Sequence, residues 1–191
     1  MLIALIIRIC FGSVWNLKHL CNVSRNHWLK LLLIKIYGAY QYQQGSSVAW
    51  NASFSGIPCF PHGMKSIFVS GGATIGSNCV IFQQVTIGSN MLAGSLGKGA
   101  PQIGNNCYIG AGAKIVGNVR IGNNVRIGAN AVVYKDVPEN SVVLSGEQRV
   151  LSERLNMDNR FYSYRGRWTY FENGHWHPVT DPAILEEFNR A

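Results

Sequence analysis

A six-residue repeat is the feature of this sequence that most restricts its fold. From Ile103 the chain reads IGNNCY, IGAGAK, IVGNVR, IGNNVR, IGANAV and VYKDVP, and every block opens with Ile or Val. The frame also runs from Val69 through VSGGAT, IGSNCV, IFQQVT and IGSN, with looser copies from Val48, Phe54 and Phe60. Gly and Asn are poor helix formers, and a six-residue period aligns no face of a 3.6-residue helix. A helical interpretation of these blocks therefore fails.

A coil with three short sides accounts for the repeat. Each block forms one side of a triangular prism, its first residue points inward, and Gly or Asn takes the tight corner. Equivalent blocks pair as parallel strands from one coil to the next. We therefore predict an all-β fold class: a left-handed parallel β-helix, with N-terminal helices and a C-terminal hairpin plus short helix. The isoleucines expected to point inward are Ile75, Ile81, Ile87, Ile103, Ile109, Ile115, Ile121 and Ile127.

Two breaks in the frame locate irregular segments. The step from Phe60 to Val69 is three residues longer than one block, so the frame shifts around residues 63–66. A larger break before Ile103 contains NMLAGSLGKGAP, residues 90–101, which we expect to be extruded as a loop. Such a loop either carries function or is a tolerated surface insertion.

The two ends of the chain differ from the repeat. MLIALIIRICF and the Trp28–Tyr37 stretch are expected to be helices that either pack on the coil or attach to the inner face of the cytoplasmic membrane. RWTYFENGHWH predicts a hairpin around Asn173-Gly174, and Asp181 and Pro182 open a short helix. The hairpin either caps the open end of the coil or presents rings to a carbohydrate. The predicted divisions are 1–47, 48–148 and 149–191.

The charge is unevenly distributed. The net charge is +8, no Asp or Glu precedes Asp136, and the segment from Arg149 onward is neutral. An anionic partner is expected in the form of CoA phosphates, an acidic polysaccharide or anionic lipid. Nucleic acid is disfavoured because no basic cluster or reading motif is present.

The five cysteines are spaced singly, which predicts no metal site. Cys79 and Cys107 occupy equivalent small, apolar positions of the repeat and are expected to be buried free thiols. This use of cysteine fits a reducing, cytoplasmic compartment.

The run from His62 to Pro138 resembles the hexapeptide-repeat acyltransferases, and within them the serine acetyltransferase-like branch. The motifs that carry the resemblance are HGMKSIFVSGGATIG, VTIGS, IGAGAKIVGNVRIGNNVRIGANAVV and KDVP. FPHG and VIFQQVTIGS look closest to members that O-acetylate capsular or lipopolysaccharide sugars. The resemblance implies a homotrimer, with acetyl-CoA as co-substrate in a groove between neighbouring prisms and no metal.

The resemblance also implies that His62 takes the proton of the acceptor hydroxyl. A hydroxyl is a poor nucleophile at neutral pH, and His is the natural general base. Serine acetyltransferases carry an Asp that orients this His, but the corresponding region here reads GSSVAW. A backbone carbonyl, a hydroxyl such as that of Ser47, or a group of another subunit is left to orient His62. A second family His is replaced by Ala100, next to Pro101.

The expected CoA contacts are weaker matches to the family. Gly88 and Ser89 match the stretch beside the pantetheine, Ala111 and Ala129 match corner positions along the CoA arm, and Lys135 and Arg149 match basic positions near the phosphates. Simple corner packing explains the alanines equally well, and solvated charge is the alternative for the two basic residues.

The function expected from these features is acetyl transfer from acetyl-CoA to a hydroxyl of a bacterial surface polysaccharide, such as a capsule or lipopolysaccharide sugar, including acidic ones such as sialic acid. The missing orienting Asp and second His weigh against serine as acceptor. The alternatives are a serine or small free-sugar O-acetyltransferase and a non-catalytic β-helix assembly protein.

Overall fold

Short strands and four helices make up the part of the chain that the computed structural model describes, residues 2–92, 97–146, 150–151 and 158–190. The helices are α1 (Leu2–Phe11), α2 (Val14–Val23), α3 (His27–Gln43) and α4 (Pro182–Arg190). The strands are β1 (Ser47–Val48), β2 (Ser53–Phe54), β3 (Phe68–Val69), β4 (Thr74–Ile75), β5 (Val80–Ile81), β6 (Thr86–Gly88), β7 (Gln102–Ile103), β8 (Tyr108–Ile109), β9 (Lys114–Val116), β10 (Arg120–Ile121), β11 (Arg126–Ile127), β12 (Val132–Val133), β13 (Val142–Val143), β14 (Val150–Leu151), β15 (Phe161–Tyr164), β16 (Trp168–Glu172) and β17 (His175–Pro178).

Strands β1 to β14 form the three sides of one β-helix, in which each coil is one turn of three sides. Side A is β1-β3-β6-β9-β12, side B is β2-β4-β7-β10, and side C is β5-β8-β11-β13-β14. The strands of each side are parallel, except that β14 pairs antiparallel with β13. All eight isoleucines predicted to point inward are at most 5% exposed, which confirms the hydrophobic column. Their burial follows from the repeat, since each block turns the chain by one corner.

The corners are built by residues in the left-handed backbone region. At the corner between sides B and C, Asn78, Asn106, Asn124 and Asn140 have φ of 55–56°. The Asn106 side chain donates to Asn124 Oδ1 (3.2 Å), and the Asn124 side chain donates to Asn140 Oδ1 (3.1 Å). Asn tolerates this conformation better than most residues, and its amide can link successive coils. Cys79 and Cys107 are buried free thiols near this corner, as predicted.

The N-terminal segment forms three helices, one more than the sequence predicted. α2 was missed because VWNLKHLCNV mixes polar and β-branched residues, which weakens its intrinsic helix signal. Tertiary contacts compensate for this composition: Leu17 is fully buried, and Lys18 Nζ donates to the backbone oxygens of Trp50 (3.0 Å) and Ala52. Burial lowers the pKa of Lys18. No described helix alone is long and apolar enough to span a membrane; α1 and α2 meet that test only as a pair bent by 66°.

The C-terminal segment is a three-stranded antiparallel sheet followed by α4. The predicted hairpin is β16-β17, turning at Asn173 and Gly174 with φ of 49° and 81°, and β15 extends it. Asp181 Oδ1 accepts from the Ala183 backbone N–H (2.9 Å) at the start of α4, as expected of an N-cap. The four helices make the all-β class too narrow for the chain as a whole.

Within the described residues, the C-terminal sheet contacts side C. The Asn173 backbone N–H donates to Asn78 Oδ1 (3.0 Å), and the Asn159 amide donates to the Asn106 carbonyl (2.6 Å). Arg126 Nε in turn donates to Asn159 Oδ1 (2.7 Å). Asn78 and Asn106 lie at the corner between sides B and C, so these contacts place the sheet on side C from that corner onward.

Candidate active site

His62 lies at the corner between sides C and A, directly before the predicted frame shift at residues 63–66. The Gly63 N–H donates to the Phe60 carbonyl (3.0 Å), and Gly63 has a φ of 74°, so the chain turns sharply after His62. Glycine reaches this conformation without a steric cost. His62 is exposed and opens onto a cavity of about 520 Å³. The cavity is lined by His62, Lys65, Ser66, Gln83 and Gln84.

The His62 ring is held by packing. Its centroid lies 5.8 Å from that of Phe82, with the ring planes at 59°. Within the described ranges of the chain, the ring has no hydrogen-bond partner. Ser47 lies in β1, where its backbone N–H donates to the Ile67 carbonyl (2.9 Å), and its hydroxyl does not hydrogen-bond to His62. The group that orients His62 therefore stays a prediction.

Gln83 brings an uncommitted polar group to the same cavity. Its Oε1 is buried and accepts no hydrogen bond from the described residues. Buried side-chain acceptors in folded proteins are nearly always paired, so an unpaired one beside a cavity marks a place for an additional donor. Lys65 lines the same cavity and adds a cation. The cavity therefore combines a base, a cation and a free acceptor.

An apolar groove of about 380 Å³ adjoins the His62 cavity through the Phe82 ring. Ala111 and Ala129, two expected CoA contacts, both line it. The backbones of their two corners approach closely, since the Asn130 N–H donates to the Ala111 carbonyl (2.8 Å). A Cβ on Gly110 would lie 2.7 Å from the Ala129 nitrogen. Glycine and alanine at these corners keep the groove open and the coils close together.

Two further expected contacts meet in a different groove, at the corner between sides A and B. Ser89 and Lys135 line this cavity of about 940 Å³, with the start of the extruded loop and Tyr134. Gly88 ends β6 directly before Ser89, next to Val116 of β9. The structure thus divides the expected CoA contacts between the two edges of side A. Arg149 lies outside the described residues.

Sequence reasoning missed the aromatic wall beside the site. Phe82 contacts Tyr108 (5.2 Å between centroids) and Phe161 of β15 (6.0 Å), and Phe161 contacts Trp176 of β17 (6.0 Å). Arg165 stacks on Trp176, with its guanidinium carbon 4.0 Å from the ring centroid. The aromatic richness of the last forty residues was visible in the sequence, but nothing local indicated that β15 packs next to Phe82.

The other histidines lie on different elements. His19 and His27 belong to α2 and α3, and His175 and His177 to β17, where His177 stacks on Tyr170. Among the described residues no group of three or more His, Cys, Asp or Glu side chains could hold a metal ion. His62 is thus the histidine that combines exposure, a corner position and a cavity.

The fold and this corner site define a hexapeptide-repeat transferase, and comparison with known proteins agrees. The family model "Bacterial transferase hexapeptide (six repeats)" matches residues 100–135. A serine acetyltransferase of Staphylococcus epidermidis is 31% identical over 150 residues, covering 72% of this chain and 69% of that protein. The chain belongs to the serine acetyltransferase family.

Two further matches bear on how far the likeness extends. A serine acetyltransferase of Staphylococcus aureus strain Mu50 is 36% identical over 129 residues, covering 61% of this chain and 59% of that protein. A solved serine acetyltransferase in complex with CoA is 28% identical, with a TM-score of 0.58 over 72% of this chain and 54% of that one. This chain therefore spans little more than half the length of those relatives. The superposition on a left-handed β-helix gives the coil its predicted hand.

The expected surface-polysaccharide acceptor is wrong, because the relatives and the superposed structure are serine acetyltransferases. The closer likeness to capsular and lipopolysaccharide enzymes is likewise unsupported by them. The structure shows why the charge was misleading: Arg8, Arg25, Lys30 and Lys35 belong to the N-terminal helices or their connections, and none of them lines the His62 cavity. The positive charge of this segment therefore does not indicate whether the acceptor is anionic.

Proposed function

We propose that this chain is an acetyl-CoA-dependent O-acetyltransferase whose acceptor is serine. The observation that carries the proposal is the uncommitted imidazole of His62, which faces a polar cavity on one side and adjoins an apolar groove through Phe82 on the other. A small acceptor suits the polar cavity, and the acyl-CoA arm suits the groove between Ala111 and Ala129.

His62 supplies the proton transfer in this reaction. Its imidazole takes the proton from the serine hydroxyl as the oxygen attacks the thioester carbonyl carbon, which forms a tetrahedral oxyanion. The C–S bond then breaks, and His62 returns the proton to the departing CoA thiolate, leaving O-acetylserine and CoA. A backbone N–H is the donor we expect for the oxyanion.

The polar lining of the cavity supports an amino-acid acceptor. Serine carries an ammonium and a carboxylate, and charged groups need partners when they leave water. Gln83 Oε1 is an unpaired acceptor suited to the ammonium, and Lys65 is a cation suited to the carboxylate. A neutral sugar would leave Lys65 without a matching charge.

Side A supports a homotrimer. Phe68, Val116, Val132 and Tyr134 lie on its outer surface and are between 37% and 57% exposed. The grooves that hold the expected CoA contacts lie at the two edges of the same side, so a neighbouring copy packed there would close both. Head-to-tail contacts of this kind form closed rings.

Sedimentation should give a trimer or a multiple of it, and Val132→Glu should dissociate this assembly. A monomeric wild type would contradict the proposed trimer.

The acceptor is tested by following thiol release from acetyl-CoA with different hydroxyl compounds. We expect serine to exceed ethanolamine, which lacks the carboxylate, and serine methyl ester, in which it is blocked. Lys65→Gln should raise the KM for serine and reduce this preference, whereas Lys98→Gln in the extruded loop is the matched control. If free sugars are turned over faster than serine, the acceptor is a sugar and the assignment of serine is wrong. If no acceptor gives thiol release, the proposed acetyltransferase activity is wrong.

A further inference from the structure

The N-terminal helices carry apolar side chains on their outer faces as well as their inner ones. In α1, Ile7 is buried, yet Leu5 and Ile9 are 55% and 74% exposed. In α3, Leu33 is buried, whereas Trp28 is 78% exposed. A helix that is apolar all round is normally covered on every side, by protein or by lipid. These exposed apolar faces are therefore candidates for a binding surface.

The exposed apolar residues form one region of the molecule. α1 packs against both α2 and α3, so the exposed apolar residues of α1 and α3 belong to one group of packed helices. Exposed apolar surface of this kind marks an interaction site. We call it the outer helical surface and define it by Leu5, Ile9, Trp28, Leu29 and Leu32.

The charge around the outer helical surface has one sign. Residues 1–47 contain five Lys or Arg and no Asp or Glu. Arg8, Arg25 and Lys35 are exposed, while Lys18 is buried against the first coil and Lys30 lies over the Trp50 ring. An apolar face bordered by cations, with Trp at its edge, is complementary to the headgroup region of an anionic membrane.

We propose that the outer helical surface binds the surface of an anionic lipid bilayer. A second copy of this chain fits less well, because a symmetric contact would bring Arg8, Arg25 and Lys35 of one copy towards the same cations of the other. The helices lie in the plane of the membrane surface and do not cross the bilayer. Ten residues of α1 span about 15 Å, half of a hydrocarbon core. Lys18 also fastens α2 to the first coil, which keeps α2 out of the bilayer.

Cosedimentation of the full chain with vesicles tests the proposal. We expect binding to phosphatidylcholine vesicles that contain phosphatidylglycerol, weak binding to phosphatidylcholine alone, and loss of binding as salt is raised. The double substitution Trp28→Ser, Leu32→Ser should weaken the partition at least about tenfold, since two buried apolar side chains are removed. Replacing Arg8, Arg25 and Lys35 by Gln should weaken binding to the anionic vesicles about a hundredfold.

A matched control removes exposed apolar groups elsewhere. Leu144→Ser, Tyr164→Ser changes two exposed residues outside the helices and should leave vesicle binding unchanged. Circular dichroism checks that each variant folds. The proposal is overturned if the wild type does not bind anionic vesicles, or if the helix variants bind as well as the wild type. It is equally overturned if those variants instead dissociate a larger assembly of the chain in the absence of lipid.

Discussion

The ring of His62 lies against the ring of Phe82, with centroids 5.8 Å apart. Phe82 also contacts Tyr108 and, across to the C-terminal sheet, Phe161. The candidate base is therefore positioned by an aromatic side chain that lines the proposed acyl-CoA groove and contacts the C-terminal sheet. This relationship links three parts of the sequence that lie far apart along the chain.

Replacement of His62 tests the proposed base directly. His62→Ala should lower kcat by roughly 10²–10⁴-fold, because no group remains to take the hydroxyl proton. His62→Asn should fail almost as badly, since an amide cannot accept that proton. Acetyl-CoA affinity, measured by calorimetry, should hardly change. Turnover near the wild-type rate in a folded, CoA-binding His62→Ala would remove this residue from the mechanism.

Phe82 is expected to act as a positioning residue for His62. Phe82→Ala should lower kcat by about 10–100-fold, because a base displaced by a fraction of an ångström transfers protons poorly. Phe82→Tyr keeps the ring and should restore most of the rate. The control is Phe171→Ala, which removes a ring of the C-terminal sheet that contacts Trp176 instead of His62. A wild-type kcat in Phe82→Ala would show that packing does not orient the base.

The corner glycine Gly110 should not tolerate a side chain. A Cβ there would lie 2.7 Å from the Ala129 nitrogen and 2.9 Å from the Ile127 oxygen, both backbone atoms. Gly110→Ala should therefore destabilise the fold by about 1–3 kcal/mol. Gly38→Ala is the matched control: nothing lies within 4 Å of its Cβ in α3, so it should stabilise by up to about 1 kcal/mol. Urea unfolding measures both, and equal stabilities would contradict the close approach of the two corners.

Asp158 should make the stability of the C-terminal sheet depend on pH. Burial acts to raise the pKa of Asp158, but hydrogen bonds from Arg160 and Tyr162 outweigh it and lower the pKa to about 2. The folded pKa lies below the unfolded value of about 3.9, so this stabilisation is complete above pH about 4 and is lost as the pH falls towards about 2.

Asp158→Asn should therefore be less stable than the wild type at neutral pH, with the difference vanishing near pH 2. Urea midpoints followed by tryptophan fluorescence measure the effect; Trp168 and Trp176 of this sheet contribute to the signal together with Trp15, Trp28 and Trp50. Tyr162→Phe removes one of the two side-chain donors and should narrow the pH window without abolishing it. A difference that is the same at pH 6 and pH 2 would contradict the ion pair.

The repeat frame was sufficient to predict the coil because its signal is local and repeated. Each inward Ile occupies the same position of its block, and the burial of Ile109 or Ile127 needs no knowledge of distant residues. His62 could be singled out in the same way, from its place at a frame shift. The Asn173-Gly174 hairpin followed from turn chemistry alone.

Other features depended on contacts that no local pattern records. α2 is held by the burial of Leu17 and by Lys18 on the first coil, which override its weak helix propensity. The acceptor was mispredicted from the absence of the orienting Asp and of the second family His, and from the net positive charge. The sequence alone did not show where those charges lie in the fold.

The sequence by itself determined the parallel coil, its inward column and the candidate base, because a six-residue period leaves one way to bury Ile and Val at every turn. Only the tertiary structure decided what surrounds His62. Phe82 and Phe161 are brought together by the packing of the C-terminal sheet on side C, and the expected CoA contacts are separated by the width of side A. Residues that are neighbours around a corner come from different coils and different segments of the chain. Their contacts therefore depend on how these segments pack together and not on their spacing in the sequence.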